Sequence, residues 1–326
     1  MKALNLAFVI LCVGTSAAFA EDCTLKKYVS VEMSEGPSGL PVIPVAIGGK
    51  ERKFIIHTEG VFSSISPHLA DELGLTRLKM DPVIYTGKGR RLREYVTVPS
   101  LGIGGASAQY AHMMISDPPP GIDGYIGPEI LKAFDLDFDF AGHSFSLFQQ
   151  NHCKGRVVYW TEDYATIPFD LSVDNNHITF DVELDGKVLR AALETASPET
   201  ELSEATAQSR FGLTERSPGA DLTEVSGTTK YRFRFQNLTV GGLTVKRPLI
   251  SIYGDAINKA VQNDYSDIMA GLAASHVAVL EKPDLWLGMN VLSKLHLYIA
   301  YKEKMLYFSG ASGPGWSMKG QTAAAP

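Results

Sequence analysis

Val45 to Ser66 reads VAIGGKERKFIIHTEGVFSSIS, and Val182 to Ser203 reads VELDGKVLRAALETASPETELS. Laid on one another without a gap, the two stretches keep a constant offset of 137. Val45 falls on Val182, Gly49-Lys50 on Gly186-Lys187, His57 on Glu194, Thr58 on Thr195 and Ser66 on Ser203. The same offset recurs downstream, where Leu101–Gly105 (LGIGG) matches Leu238–Gly242 (LTVGG). A further match, Gly124–Gly127 followed by PEILKAFDLDFDF against Leu285–Gly288 followed by MNVLSKLHLYIAY, has an offset of 161 and so implies 24 extra residues in the second half. Apolar residues at near-helical spacing (Ile257, Val261, Ile268, Leu272) assign them to a helical insert around Asp255 to Val279. A repeat of this kind takes precedence over any local assignment, because it sets the architecture.

Within each half the pattern is mostly strand. Alternation in Pro44–Ile47 and Thr179–Leu184, turns at Gly48-Gly49 and Asp185-Gly186, and the apolar runs Phe54–Ile56 and Ala191–Leu193 predict β-hairpins. Ser66-Pro67 and Ser203 each open a short helix with an N-cap residue. Residues 24–150 and 166–308 are expected to form the two lobes, with 151–165 as linker and 309–326 as a flexible tail.

The chain has 326 residues, 45% hydrophobic and 20% charged, which fits folded domains and excludes a disordered class. A formal net charge of −6 denies it the basic field of a nucleic-acid binder, so no nucleic-acid partner is expected. Lys2, the apolar stretch Leu4–Val13 and Ala18-Phe19-Ala20 read as a signal peptide over 1–20, cleaved at about residue 20. The apolar stretch is too short for the roughly 20 residues of a spanning helix, so a periplasmic or secreted protein without a membrane span is expected. Cleavage leaves Cys23 and Cys153, an even count that suggests one structural disulfide in an exported chain.

The order strand, Gly turn, apolar strand, x-T-x, Ser, short helix, hairpin and apolar-apolar-Gly resembles the retropepsin-like aspartic peptidases, specifically the bacterial exported proteins with two fused lobes. The resemblance implies a mostly β, two-lobed pepsin/retropepsin-like fold, with a peptide groove between the lobes and a catalytic Asp from a DTG or DSG triplet in each. This chain departs at the chemistry. It has His57-Thr58-Glu59 and Glu194-Thr195-Ala196, keeping the Thr, which in the family braces the two loops, but neither Asp nor Gly. Glu59 and Ala196 would be strained if either position required positive φ.

Two carboxylates about 3 Å apart share one proton, and an aspartic peptidase depends on that state. An imidazole facing a carboxylate forms an ion pair instead, and Glu194 is one methylene longer than Asp. The favoured reading is therefore a non-catalytic protein that binds a peptide or protein segment in the inter-lobe groove. The alternative is a hydrolase in which Glu194 and His57 activate water. A third reading takes His57, Glu59 and Glu194 as metal ligands, but HTE carries no standard ligand spacing, and the expectation is no cofactor and no metal.

Lys88, Arg90 and Arg91, in GKGRRLRE, fall where the family has a flap and are candidates for contacting an acidic ligand; Lys230, Arg232 and Arg234 match them in the second half. A solvated hairpin tip explains such a run equally well. The other histidines show no ligand spacing, and Asp135, Asp137 and Asp139 in FDLDFDF read as an alternating strand with one polar face, lacking the Gly and Glu of a calcium loop. Walker A, GxSxG and GxGxxG motifs are missing.

Overall fold

Gly48-Gly49 and Asp185-Gly186 place both central residues of their turns at positive φ, 60° and 75° in the first, 46° and 79° in the second. This is the turn geometry whose twist matches that of paired strands. Pro41–Ile47 accordingly pairs with Lys50–Ile56, and Ile178–Leu184 with Lys187–Leu193, each with the two turn residues between. The first strands bury alternate side chains, Ile43, Val45 and Ile47 in one lobe and Ile178, Phe180, Val182 and Leu184 in the other. The second strands end in residues buried on both faces, Phe54-Ile55-Ile56 and Ala191-Ala192-Leu193, because each is flanked in parallel by a further strand, Gly124–Ile126 or Leu285–Leu287.

These features come from a computed structural model that describes residues 23–60, 62–85, 91–172, 176–225, 228–254, 283–311 and 317–318. The expected helical insert of the second lobe falls on residues outside this set, as does the signal segment. Among the described residues the fold is mostly β. An eight-stranded sheet forms the first lobe, an eleven-stranded sheet the second, and a six-stranded sheet joins them.

The repeat reaches the backbone. Tyr110 (φ 54°) and Arg247 (φ 49°) are unusual positive-φ residues at the same position of the two halves, as are Gly104 (56°) and Gly241 (53°). His143 (52°) and Lys304 (53°) match at the second offset, in the last hairpin of each lobe. Ser66 and Ser203 cap helices Pro67–Glu72 and Glu204–Phe211, each side chain accepting the N–H three residues on. Two long strands of the first lobe, Arg91–Ile103 and Ala106–Ile115, are each divided in the second, into Thr228–Arg234 and Asn237–Val240 and into Leu243–Lys246 and Leu249–Tyr253.

In the joining sheet, Asp135–Asp139 of the first lobe pairs antiparallel with Leu295–Ala300 of the second, flanked by Ser144–Phe148 and Lys27–Glu32 on one side and by Met305–Gly310 and Ala165–Pro168 on the other. One face is apolar, with Leu136, Phe138, Phe145, Leu297 and Ile299 in the common core. The opposite face is the polar one expected of the alternating strand, and it is covered, with Asp135 and Asp137 fully buried. Nε2 of His152 lies 2.6 Å from Asp135 Oδ2, and the Tyr301 N–H donates to Oδ1 at 2.9 Å. Nε2 of His296 lies 2.7 Å from Asp137 Oδ1, and the Tyr159 hydroxyl donates to Oδ2 at 2.5 Å. Trp160 stacks on His296 with centroids 3.9 Å apart, and its indole N–H donates to Ser309. Burial pushes the Asp135 carboxyl up, against the His152 hydrogen bond that pulls it down. Residues expected only to link the lobes thus supply His152, Tyr159 and Trp160 as the cover of this sheet, and the expected tail begins with Ser309 and Gly310, which complete a strand.

Cys23 and Cys153 are disulfide-bonded, with Cα atoms 4.7 Å apart, fastening the start of the described chain to that cover. A disulfide is typically worth about 2–4 kcal/mol, and a loop this long stands at the upper end of the range. Urea unfolding of Cys153→Ser beside the parent is expected to show that loss; an unchanged midpoint would mean the bridge constrains nothing that unfolding releases.

Candidate functional site

Each apolar strand runs out between the lobes and delivers its triplet there. The His57 N–H donates to the Ile126 carbonyl at 2.9 Å, and the Glu194 N–H donates to the Leu287 carbonyl at 3.1 Å, so both triplets leave their sheets from equivalent registers. The threonines then cross over. Thr58 Oγ1 donates to the Leu193 carbonyl and Thr195 Oγ1 to the Ile56 carbonyl, both at 2.6 Å. In return the Thr195 N–H donates to Thr58 Oγ1 at 3.2 Å and the Thr58 N–H to Thr195 Oγ1 at 3.1 Å. Both side chains are wholly buried, where a satisfied hydrogen-bond set is strongest and a broken one most costly.

This brace brings His57 and Glu194 together, Nε2 to Oε2 at 3.5 Å. Glu194 is 6% exposed and its Oε1 accepts the Ala196 N–H at 2.6 Å. Burial alone would raise its pKa, but the charge of His57, a hydrogen bond from Glu59 and the Ala196 N–H outweigh it and hold the carboxyl well below the usual carboxylate range. Glu59 turns into the same space: the Trp286 indole N–H donates to its Oε1 at 2.6 Å, and Nδ1 of His177 lies 3.6 Å from that oxygen. His177 is buried and its pKa is lowered to about 4, chiefly by desolvation, so it is neutral at physiological pH. One ligand atom from each of His57, Glu59 and Glu194 lies within 4.8 Å of the other two. Neither Glu59 nor Ala196 has positive φ, so the strain anticipated from the lost glycines does not arise.

Several residues around the triplets escaped the sequence reading. Ser63 and Thr200 are a repeat pair: Ser63 Oγ accepts the Gly127 N–H at 2.8 Å, and Thr200 Oγ1 accepts the Gly288 N–H at 3.1 Å. Glu129 and Asn290, two residues past those glycines, accept the Ser63 and Thr200 N–H groups at 2.7 and 2.8 Å. Burial pushes the Glu129 carboxyl up, opposed by its hydrogen bonds from Ser63. Gly127 and Gly288 have no room for a side chain, since a Cβ would lie 2.5 Å from Glu129 Oε2 in one case and 2.2 Å from the Glu199 carbonyl in the other. Tyr125 and Trp286 are the aromatic pair of the repeat, Tyr125 packing on His57 with centroids 5.5 Å apart and Trp286 holding Glu59. The signal was the shared aromatic in GYIG and LWLG, which sequence alone could equally assign to the core.

Of the flap candidates, Lys88 and Arg90 lie outside the described residues, and Arg91 begins a strand opposite Tyr85. In the matching second-lobe segment Arg232 pairs with Asp221 at 2.7 Å and Glu199 at 3.4 Å, and Arg234 donates to the Arg247 carbonyl.

A search of curated protein sequences gave no match. Among solved structures the chain is similar to basic 7S globulin from soybean, at 8% identity and a TM-score of 0.49, over 88% of this chain and 96% of that one. Residues 43–130 match the family model described as aspartyl protease, and this span contains the first triplet, its strand pair and the Gly127 turn. Over residues 43–130 the chain is thus similar to the aspartyl proteases, and the strand order of that span recurs in its second half.

Proposed function

We propose that this chain is an exported pseudopeptidase that retains the inter-lobe groove of an aspartic peptidase and binds a peptide or protein segment there without cleaving it. One observation carries the reading. The two positions that would hold proton-sharing carboxylates hold His57 and Glu194, 3.5 Å apart, within an otherwise intact cross-lobe brace. The dyad needs a second carboxyl to carry the shared proton while the first is ionised, and the residue facing Glu194 across the lobes is an imidazole. Residues 24–150 and 166–308 are the two lobes of this reading. Export is supported by the Cys23–Cys153 disulfide, which persists in oxidising compartments, and by the signal-like start of the sequence. No helix among the described residues is long and apolar enough to cross a membrane.

The second reading, a hydrolase with His57 as base and Glu194 as its orienting carboxylate, is favoured by the partial exposure of the His57 side chain, 26% against 8% for Glu194. A mixed peptide library incubated with the mature protein between about pH 3 and pH 8, spanning the carboxylate and imidazole titrations, separates the two. Mass spectrometry is expected to find peptides retained and none cut. Cleavage that vanishes in Glu194→Gln would overturn the pseudopeptidase reading in favour of the hydrolase.

A further inference from the structure

We propose that His57, Glu59 and Glu194 form a binding site for one divalent transition-metal ion of the zinc type, held across the two lobes. This departs from the expectation of no metal, and it stands independently of peptide binding. The sequence offers these three residues but does not select them, because His-x-Glu plus one distant Glu has no standard ligand spacing; the brace between Thr58 and Thr195 brings them together.

The first argument is distance. Two ligands bound at about 2.0–2.1 Å to a common tetrahedral ion lie about 3.3–3.4 Å apart, whereas a charge-assisted hydrogen bond closes to about 2.7–2.9 Å. His57 Nε2 and Glu194 Oε2, at 3.5 Å, match the first case. The three donor atoms lie within 4.8 Å of one another, close enough for a single ion to bring them in by small rotations.

The second argument is orientation. Ligating carboxylates and imidazoles are aimed by groups outside the coordination shell. Here the Ala196 N–H fixes Oε1 of Glu194, which turns Oε2 toward His57, and the Trp286 N–H fixes Oε1 of Glu59, each at 2.6 Å. Gly60 leaves the place of a Cβ to the His57 ring, since such an atom would lie 2.6 Å from Nδ1. The third argument is charge. Metal ions take the deprotonated forms of their ligands, and the two carboxylates of this set would balance one dication. A nitrogen donor among oxygens selects zinc-type ions over calcium or magnesium, which prefer all-oxygen sets. With His57 and Glu59 from one lobe and Glu194 from the other, the ion would tie the lobes together.

The test is calorimetric titration of the mature protein with Zn2+ after chelator treatment and desalting, with Co2+ as a spectroscopic probe of coordination and the thermal midpoint as a further readout. The expected result is one ion per chain, a tetrahedral Co2+ absorption spectrum and a midpoint that rises with Zn2+. His57→Ala and the near-isosteric Glu59→Gln and Glu194→Gln are expected to abolish the Co2+ spectrum, and Trp286→Phe to weaken Zn2+ binding by about 10–100-fold. Near-UV circular dichroism identifies which variants are folded, and the Gln variants carry the comparison if His57→Ala is not. Absence of stoichiometric binding would overturn the proposal, as would Zn2+ affinity unchanged in the folded Gln variants. Peptide retention, measured with and without Zn2+, reports on the groove separately, so either proposal can fail while the other stands.

Discussion

Replacing Asp137 with alanine is expected to lower the free energy of unfolding by about 3–5 kcal/mol, a large share of what a domain has. Asp137 is 1% exposed and accepts from Tyr159 and faces His296 Nε2 at 2.7 Å. Truncation leaves both groups without their acceptor, at about 1–3 kcal/mol for each orphaned donor, and opens a void in the joining sheet. Tyr159→Phe, which removes one donor and leaves the carboxylate its histidine, is expected to cost about 1–2 kcal/mol. Urea unfolding of both variants beside the exposed Glu162→Ala gives the comparison. A loss below about 1 kcal/mol for Asp137→Ala would mean that water replaces the carboxylate at no cost and that this face is not sealed.

The second large effect concerns the brace. Thr58→Val keeps the side-chain shape but removes the acceptor of the Thr195 N–H and the donor to the Leu193 carbonyl, both buried. The expected cost is about 2–4 kcal/mol, with the same for Thr195→Val by the symmetry of the contacts. Because the two hydroxyls lie 3.4 Å apart and serve each other's backbone, the costs should not add: the double variant is expected to fall short of their sum by about 1 kcal/mol or more. A double-mutant cycle from urea midpoints measures this term, and simple additivity would show that the two loops are held independently.

The architecture was legible because its signals are local and come twice. A Gly-Gly or Asp-Gly turn, an apolar run and a Thr at fixed spacing are constraints of backbone geometry, and the family match over residues 43–130 covers the first copy of them. The repeat put Thr58 and Thr195 at equivalent positions, and their meeting across the lobes was what the family resemblance implied. The polar strand face was harder. Alternation in Asp135–Asp139 establishes that the two faces differ, not that the polar one meets solvent, and its partners His152, Tyr159 and His296 come from two other segments. Glu129 and Asn290 were hidden for a different reason: one polar residue beyond a glycine is ordinary on a surface, and only the fold shows both receiving the N–H of a residue just past a triplet. Trp286 was hidden by its own hydrophobicity, since its N–H contact to Glu59 depends on lobe placement.

The pairing of Asp135–Asp139 with Leu295–Ala300 also bears on how the protein is made. During synthesis the first of these strands emerges long before its partner, and Ser144–Phe148 can cover only one of its edges. Until the last part of the chain arrives, the other edge offers unpaired N–H and carbonyl groups to any neighbouring nascent chain. Exchange of the C-terminal strands between two such molecules would reproduce the pairing of the joining sheet, so this topology admits intertwined dimers, and a chain ending before Leu295 would keep that edge unpaired.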